Sequence, residues 1–319
     1  MTIEGSLPLN QDNRMSKGLV WIRGEIVPVR QATTCVLSPT AQFGMNVFEG
    51  IRCYWDKNQR HLLAFRLRDH LNRLMESARL IQIAIPYTAE EIEGFIRAIL
   101  EANSFADDVA IRLTAFVDGV GSWHTSDPVS MFIAPSAKNR TDINNIPMKH
   151  ACVSSWQRIN DNALPPRAKV GANYINGRYA HLNARANGYD LPILLGADGK
   201  VAEGAGACIF IVRKGHLITP PVTSSSLDSI TRDTLIKIAT SQGITVEERV
   251  IDRTELYLSE EAFFCGTAAE ISPVASVDKL RIGSGTVGEV TMNLFEAYLQ
   301  AVSGMTGDAS RWCTAMITK

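Results

Sequence analysis

Lys169 and Glu203 are the residues of this 319-residue chain whose surroundings suggest chemistry. Lys169 lies in the segment RAKVGANY, next to small residues and five positions before Tyr174. A lysine that is held out of water has a lowered pKa, so its free amine can attack a carbonyl and form a Schiff base. Glu203 lies in KVAEGAGACIF, among glycines and alanines that allow close backbone approach. Taken alone, each is more often a solvated side chain, because lysine and glutamate are rarely fully buried.

Two further segments could offer backbone N–H groups to a phosphate. SSLDSITRD places Ser and Thr at the start of an amphipathic helix, and CGTAAEI places Gly266 and Thr267 after an apolar strand. Such termini can bind anions, although a Ser or Thr at a helix start usually only caps the helix. A lysine, a carboxylate and an anion site together meet the needs of pyridoxal phosphate. The sequence has no GxGxxG after a strand, no GxxxxGK[ST] and no HExxH, so dinucleotide, nucleotide and zinc-protease sites have no support.

The elements that must position these residues fall into two halves. The first half has hairpin-rich strands and two amphipathic helices, RLRDHLNRLMESARLIQI and TAEEIEGFIRAILEAN, and the second interleaves strands with helices, one from about Tyr174 to Asn187. The polar segment SAKNRTDINNIPMKH interrupts the periodicity between them. We therefore predict a small N-terminal domain over residues 1–137, a linker over 138–147 and a large cofactor-binding domain over 148–319.

Composition narrows the class of partner. A net charge of -1 with 45% hydrophobic residues favours a small-molecule ligand over nucleic acid or an anionic membrane. The start, MTIEGSLPLNQDNRMSK, lacks the basic and apolar profile of a secretory signal, which predicts a cytoplasmic location. The six cysteines are scattered without a CxxC pair, so we expect them to be reduced, and we predict no metal site.

Six segments carry a resemblance to a known family: FGMNVFEGIRCY, RDHLNRLMESA, VSSWQRINDNALPPRAKVGANY, GKVAEGAGACIFIV, LITPPVTSSSLDSITRD and FFCGTAAEISPVASVD. From about Trp21 to Trp312 the chain resembles the branched-chain amino acid aminotransferases, which are class IV (fold-type IV) pyridoxal-phosphate enzymes. The resemblance implies an α+β fold with a smaller α/β N-terminal domain and a larger, mixed, β-barrel-like C-terminal domain with flanking helices. It also implies a homodimer that exchanges an amino group between an L-amino acid and a 2-keto acid in two half-reactions.

The resemblance assigns cofactor-binding roles to matching residues. Lys169 would form the Schiff base and act as general base and acid, Tyr174 would hydrogen-bond the ring oxygen, and Glu203 would pair with the ring nitrogen. Leu227 would pack on the ring face. The phosphate-binding positions of the family correspond to Arg73, Ile230, Thr231 and Thr267.

The same resemblance implies a substrate site. Thr267 and Ala268 match the backbone donors for the substrate carboxylate. Phe48 and Arg112 match positions that line the pocket, as does Phe43, which would reach across the dimer interface.

The chain departs from the family pattern in this pocket. Ala110 replaces a usual aromatic residue, and APSAKNRTD, with Lys138 and Arg140, stands where the family carries Trp, Gly and Tyr. Fewer aromatic walls and more cations favour a polar or anionic substrate, as in a specialised biosynthetic pathway, although solvated linker charges explain the two cations equally well. D-amino acid aminotransferase and aminodeoxychorismate lyase remain alternatives on the same fold, but VFEGIRCY and SSWQR favour the branched-chain group. An inactive binding or scaffold protein is the alternative of another class.

Overall fold

The structure is a computed structural model that describes residues 18–305 and 309–318. Its α-helices are α1 (Pro39–Phe43), α2 (Leu67–Leu80), α3 (Ala89–Asn103), α4 (Tyr174–Ala186), α5 (Ile230–Ser241), α6 (Arg253–Tyr257) and α7 (Glu289–Val302). Its first strands are β1 (Leu19–Ile22), β2 (Glu25–Pro28), β3 (Asn46–Asp56), β4 (His61–Phe65), β5 (Val109–Val117), β6 (Val129–Ala137), β7 (Lys149–Val153) and β8 (Leu191–Leu195). The remaining strands are β9 (Val201–Gly204), β10 (Cys208–Arg213), β11 (His216–Thr219), β12 (Val246–Glu248), β13 (Glu261–Gly266), β14 (Glu270–Val277), β15 (Leu280–Arg281) and β16 (Cys313–Thr318).

The first sheet has seven strands in the order β16-β4-β3-β5-β6-β1-β2, and all neighbours are antiparallel. Because side chains alternate between the two faces of a strand, one face carries Ile51 and Ile111 into a core that α2 and α3 cover with Leu71 and Ile96. The opposite face carries the residues at even positions of β3, and it is the face that lines the candidate site.

The second sheet has nine strands and mixes parallel with antiparallel neighbours. Eight strands follow the order β12-β11-β10-β13-β14-β7-β8-β9, and β15 pairs with β14. The sheet curls into a half-barrel. Helices α5 and α7 pack on it, with Leu235 of α5 and Leu294 of α7 in the same core cluster as Phe263 of β13. The predicted α+β fold, with a smaller helix-covered sheet and a larger barrel-like sheet with flanking helices, is confirmed.

The chain crosses between the sheets twice. Residues 138–148 connect β6 to β7, and β16 returns from the second half to pair with β4 at the edge of the first sheet. The division at 138–147 stays a prediction, and the N-terminal segment that carries the prediction of a cytoplasmic location lies outside the described residues. Within residues 18–305 and 309–318, no helix combines the length and the apolar character that crossing a bilayer requires.

Candidate active site

The backbone of Lys169 is anchored to β3 of the first sheet and to α2. Its carbonyl accepts a hydrogen bond from the Phe48 N–H at 3.0 Å, and its N–H donates to the Ser77 Oγ at 3.0 Å. The Nζ of Lys169 donates to the hydroxyl of Tyr174 at 3.0 Å. Tyr174 is the first residue of α4, and Gly177 lets this helix approach the next loop, because a Cβ there would lie 2.3 Å from the Ala205 carbonyl oxygen. The predicted pair of lysine and tyrosine is therefore brought together.

Glu203 lies on β9 and is buried in the wall of the same cavity. Burial raises the pKa of its carboxyl, and the nearby charge of Arg158 opposes that rise. The Arg158 Nε lies 2.7 Å from one carboxylate oxygen, and the Leu227 N–H donates to the other at 3.2 Å. Arg158 was not among the predicted site residues, although it stands in the quoted segment SSWQR. The ion pair holds the carboxylate at one orientation toward the cavity.

Arg73 is buried at one end of the cavity, where Glu49 holds it. Its Nε and Nη2 donate to the two carboxylate oxygens of Glu49 at 2.7 and 2.8 Å, and its Nη1 donates to the Asp228 carbonyl at 2.7 Å. The Nδ1 of His70 also lies 2.7 Å from Glu49. Burial alone would raise the pKa of Glu49, but Arg73 and His70 hold it well below its usual range. Glu49 and His70 are further residues that the sequence analysis did not single out.

The start of α5 lies beside Arg73. Ile230 and Thr231 are the first two residues of this helix, and Ser229 caps it by accepting a hydrogen bond from the Arg232 N–H. Leu227 and Ser229 line the cavity, while the side chains of Ile230 and Thr231 are buried behind them. First-turn N–H groups and a guanidinium form an environment that suits an anion.

The predicted substrate residues are divided between two adjoining cavities. Phe48, Arg112, Thr267 and Ala268 line the cavity of Lys169, and the Arg112 guanidinium lies 4.2 Å from the centre of the Phe48 ring. Ala110 lines the neighbouring cavity, which shares Gly50, Arg112, Thr267 and Ala268 with the first. Phe43 lines neither cavity, because it ends the short helix α1 and is 46% exposed.

The residues that line the cavity fit pyridoxal phosphate. Three lining glycines leave it open: a Cβ on Gly50 would meet no atom within 4 Å, and the nearest atoms to a Cβ on Gly206 or Gly266 would be 3.7 Å away. The cavity offers an amine for the aldehyde, a buried carboxylate for the ring nitrogen, and a cation with helix N–H groups for the phosphate. Each group of the cofactor thus has a complementary residue.

Comparison with known proteins agrees with this chemistry. The sequence model of the family described as Amino-transferase class IV matches residues 46–277. The branched-chain-amino-acid aminotransferase of Escherichia coli strain K12 is 36% identical over 307 residues, which cover 92% of this chain and 96% of that protein.

Solved structures are similar over nearly the whole chain. The branched-chain amino acid aminotransferase of Thermobaculum terrenum in PLP form superposes with a TM-score of 0.90 at 40% identity, covering 95% of this chain and 100% of that one. The branched-chain aminotransferase of the thermophilic archaeon Thermoproteus uzoniensis, solved with norvaline, superposes with a TM-score of 0.87 at 39% identity, covering 94% of this chain and 99% of that one.

Proposed function

Because the chain belongs to the class IV aminotransferases, which fixes it as a pyridoxal-phosphate-dependent transaminase, we propose that it exchanges an amino group between an L-amino acid and a 2-keto acid. The first keto acid leaves before the second enters, so that the two half-reactions use one site. The observation that carries the proposal is the Lys169 amine, 3.0 Å from the Tyr174 hydroxyl, in a cavity that also holds Glu203 and Arg73.

Each residue has a distinct task. When bound, the cofactor supplies an aldehyde that exchanges amino groups and a ring that accepts negative charge from the reacting carbon. Lys169 moves a proton at the substrate's Cα as general base and then as general acid, and Tyr174 orients its amine. Glu203 holds a proton on the ring nitrogen, which requires its negative charge, and Arg158 stabilises that charge despite burial.

Other residues of the cavity would bind the cofactor's phosphate and the substrate's α-carboxylate. Arg73 and the N–H groups of Ile230 and Thr231 would hold the phosphate, with the Thr267 hydroxyl as a further donor, while Leu227 packs on the ring. Backbone N–H groups of the turn after β13 would bind the substrate's α-carboxylate. These assignments follow the resemblance, residue by residue.

The side-chain specificity is proposed to depart from aliphatic substrates toward polar or anionic ones. Ala110 stands where the family resemblance implies an aromatic ring, and Arg112 and Lys138 line the same cavity as Ala110. Assays with L- and D-amino acids and with aminodeoxychorismate discriminate this activity from the two alternatives on the same fold.

A homodimer in the cytoplasm completes the proposal. Phe43 is exposed together with the nearby apolar residues Leu37, Val120 and Trp123, and the side-chain amide of Gln42 joins these segments through the Leu37 and Gly121 carbonyls. A second copy that covered this surface would bring Phe43 toward the partner's cavity. Light scattering after size exclusion should give twice the mass of one chain, and a single-chain mass would contradict the dimer.

Lys169→Ala is the test of the activity. The variant should fold, lose the visible absorption of the lysine-linked cofactor and lose transamination, while Lys57→Ala, a change in the turn between β3 and β4, should retain both. After reduction of the linkage, mass spectrometry should locate the cofactor on residue 169. Turnover in Lys169→Ala, or an adduct on another lysine, would refute the proposal.

A further inference from the structure

The phosphate end of the candidate active site is built from two helices that belong to different hydrophobic cores. Helix α2 carries Arg73 and buries Leu71 and Leu74 in the core of the first sheet, whereas α5 buries Leu235 in the core of the second. Among the described residues, no core cluster contains side chains of both helices. A cavity of about 660 Å³, lined by residues of both, opens between them. Apolar packing therefore does not set the distance between Arg73 and the first turn of α5.

Side-chain hydrogen bonds of two arginines join the helices instead. Within the described part of the chain, Arg73 donates to the Asp228 carbonyl just before α5, and Arg66, which directly precedes α2, reaches the first turns of α5 itself. Because seven residues are about two helical turns, Arg66 and Arg73 project from the same side of α2. Arg73 lines the cavity of Lys169, but Arg66 lines only the cavity between the helices. Arg66 is thus placed to act on the phosphate end without touching a bound phosphate.

The backbone of Arg66 is held at the junction between β4 and α2. Its N–H donates to the Trp312 carbonyl at 2.6 Å, and its carbonyl accepts a helical hydrogen bond from the His70 N–H at 3.1 Å. Its φ of 51° lies in the left-handed region, which residues other than glycine seldom adopt and which persists where surrounding contacts fix it. The Trp312 ring also lies against the guanidinium, with 5.5 Å between the ring centre and Cζ. The origin of the side chain is therefore fixed.

The guanidinium of Arg66 is buried and divides its hydrogen bonds between the two helices. Its Nε donates to the Asp69 carboxylate in α2 at 2.5 Å, and its Nη1 donates to the Thr234 hydroxyl at 3.1 Å and to the Asp233 carboxylate in α5. The Thr234 hydroxyl in turn donates to the Ile230 carbonyl at 2.8 Å. A planar guanidinium can hold two groups at a fixed separation, which the flexible ammonium of lysine does less well. Arg66 thus joins the start of α5 to the start of α2.

Arg66 also balances a carboxylate beside the anion site. Asp233 lies in the first turn of α5, whose N–H groups would bind the phosphate. Burial alone would raise the pKa of Asp233, but hydrogen bonds from Lys237 and Arg66 hold it below its usual value, so Asp233 is ionised at neutral pH. Without those cations, the carboxylate would repel a phosphate at the same end of the helix. Both the position and the charge of this turn therefore depend on Arg66.

We infer, building on the proposed binding of the cofactor's phosphate by Arg73 and α5, that Arg66 is a positioning residue that sets the distance between Arg73 and the first turn of α5 and so determines the affinity for that phosphate. The phosphate would bridge Arg73 and the N–H groups of Ile230 and Thr231, so it can contact all of them only at one separation of the helices. Loss of Arg66 should weaken the binding of compounds that carry the phosphate and spare those that lack it.

The test measures the binding of pyridoxal phosphate and of pyridoxal to the cofactor-free chain by absorbance titration. Arg66→Gln should weaken the binding of pyridoxal phosphate about 10- to 100-fold and that of pyridoxal less than about threefold. Arg66→Lys should fall between wild type and Arg66→Gln, because it keeps the charge and loses the planar fork. The matched control is Arg68→Gln, which removes an exposed partner of Glu90 from the same helix and should match wild type.

Thr234→Val provides a second test that leaves Arg66 and both of its carboxylate partners in place. It removes the hydroxyl that accepts from Nη1 and should weaken pyridoxal phosphate relative to pyridoxal about 3- to 10-fold. Its control is Thr240→Val, because the Thr240 hydroxyl donates to the carbonyl four residues earlier, as Thr234 does, but is exposed and has no hydrogen bond to Arg66. If Arg66→Gln does not fold, the comparison of these two variants decides the question.

Two results would overturn the inference: Arg66→Gln and Arg68→Gln binding pyridoxal phosphate equally well, or Arg66→Gln weakening pyridoxal phosphate and pyridoxal by the same factor, as a merely structural role would. Neither titration requires turnover. Selectivity for the phosphate that is lost in Arg66→Gln, in a chain whose wild type transaminates no substrate pair, would support the role of Arg66 and refute the proposed function. The two failures are therefore distinguishable.

Discussion

Glu49→Gln is the substitution that tests how the phosphate end of the site is held. Glu49 is fully buried and accepts two hydrogen bonds from Arg73, at 2.7 and 2.8 Å. Because the pKa of Glu49 lies well below its usual range, it is ionised at neutral pH, so the Nδ1 of His70 must carry the hydrogen in their 2.7 Å contact. Burial lowers the pKa of His70 despite the charge of Glu49, so Glu49 balances the single charge of Arg73.

The expected loss of stability follows from that charge balance. Glutamine has the shape of glutamate and keeps one acceptor oxygen, but it leaves the buried Arg73 guanidinium without a counter-charge. Removing one partner of a buried ion pair costs about 3 to 5 kcal/mol, and the remaining acceptor places Glu49→Gln near the lower limit, at about 3 kcal/mol. The cost is concentrated at neutral pH, where both partners are charged in wild type.

The pH dependence has a definite sign. The folded-state pKa of Glu49 is depressed, so its contribution is fully present above the unfolded-state pKa of about 4.3 and is lost as the pH falls toward the folded-state pKa. The difference in unfolding free energy between wild type and Glu49→Gln should therefore narrow below about pH 4. A difference that widens on acidification would contradict the assigned charge states.

Urea unfolding of the cofactor-free and cofactor-loaded proteins provides the assay. The matched control is Glu90→Gln, which removes an exposed partner of Arg68 and should leave the unfolding midpoint nearly unchanged. Pyridoxal phosphate should restore part of the stability of Glu49→Gln, because its phosphate supplies an anion beside Arg73, and pyridoxal should restore less. Equal stability of the two variants would refute the buried-pair argument. Equal restoration by the two compounds would refute the placement of the phosphate at Arg73.

Two further substitutions address other parts of the site. Glu203→Gln should retain the cofactor but lower the single-turnover rate at least 100-fold, because a neutral amide cannot hold a proton on the ring nitrogen; a near-normal rate would contradict that role. Glu270→Gln should raise KM for amino acids more than it lowers kcat, because Glu270 anchors the carboxylate-binding turn to Tyr54 and Thr141. Steady-state kinetics, with the surface variant Glu296→Gln as control, measures both constants. A larger effect of Glu270→Gln on kcat than on KM would argue against a positioning role.

The elements that sequence predicts well are those with local signals. Helix α3 begins where the Thr cap predicts, with a capping box between Thr88 and Glu91, and α4 ends at Ala186, just before Gly188 takes a positive φ. The five-residue helices α1 and α6 and the strand β16 were not predicted. A short helix has too few residues for a periodic pattern, and the pairing of β16 with β4 joins segments that are far apart in the chain.

The residues of the candidate site also divide into those that local sequence segments identify and those that depend on contacts between distant segments. Lys169, Tyr174 and Glu203 stand in segments that the family resemblance identifies, and the structure brings them to one cavity. Glu49 had no signal of its own, because VFEG indicates a strand without indicating that α2 would place Arg73 opposite its carboxylate. The identity of the residue opposite Ala110 depends on the strand register, and the hydrophobic pattern of a single strand does not predict that register.

Cations that are paired with a carboxylate and cations that are not paired have different roles in the site. Arg73 and Arg158 are each matched by one buried carboxylate, of Glu49 and of Glu203, so those pairs fix geometry and leave little net charge. A cation that the protein itself neutralises can orient a ligand, but it gives little discrimination between charged and neutral ligands.

Lys138 and Arg112 differ from those pairs because neither forms an ion pair with a carboxylate among the described residues. Keeping an uncompensated cation in a partly buried wall lowers the stability of the empty protein, and a ligand that supplies the missing charge gains the energy that the fold has lost. We therefore expect discrimination among amino acids to come from the wall of the neighbouring cavity that Ala110 and Lys138 line. The paired cations at the phosphate and ring-nitrogen ends serve any substrate alike, so in this chain we expect substitutions at Ala110 and Lys138 to change the side-chain specificity more than substitutions at Glu49 or Glu203.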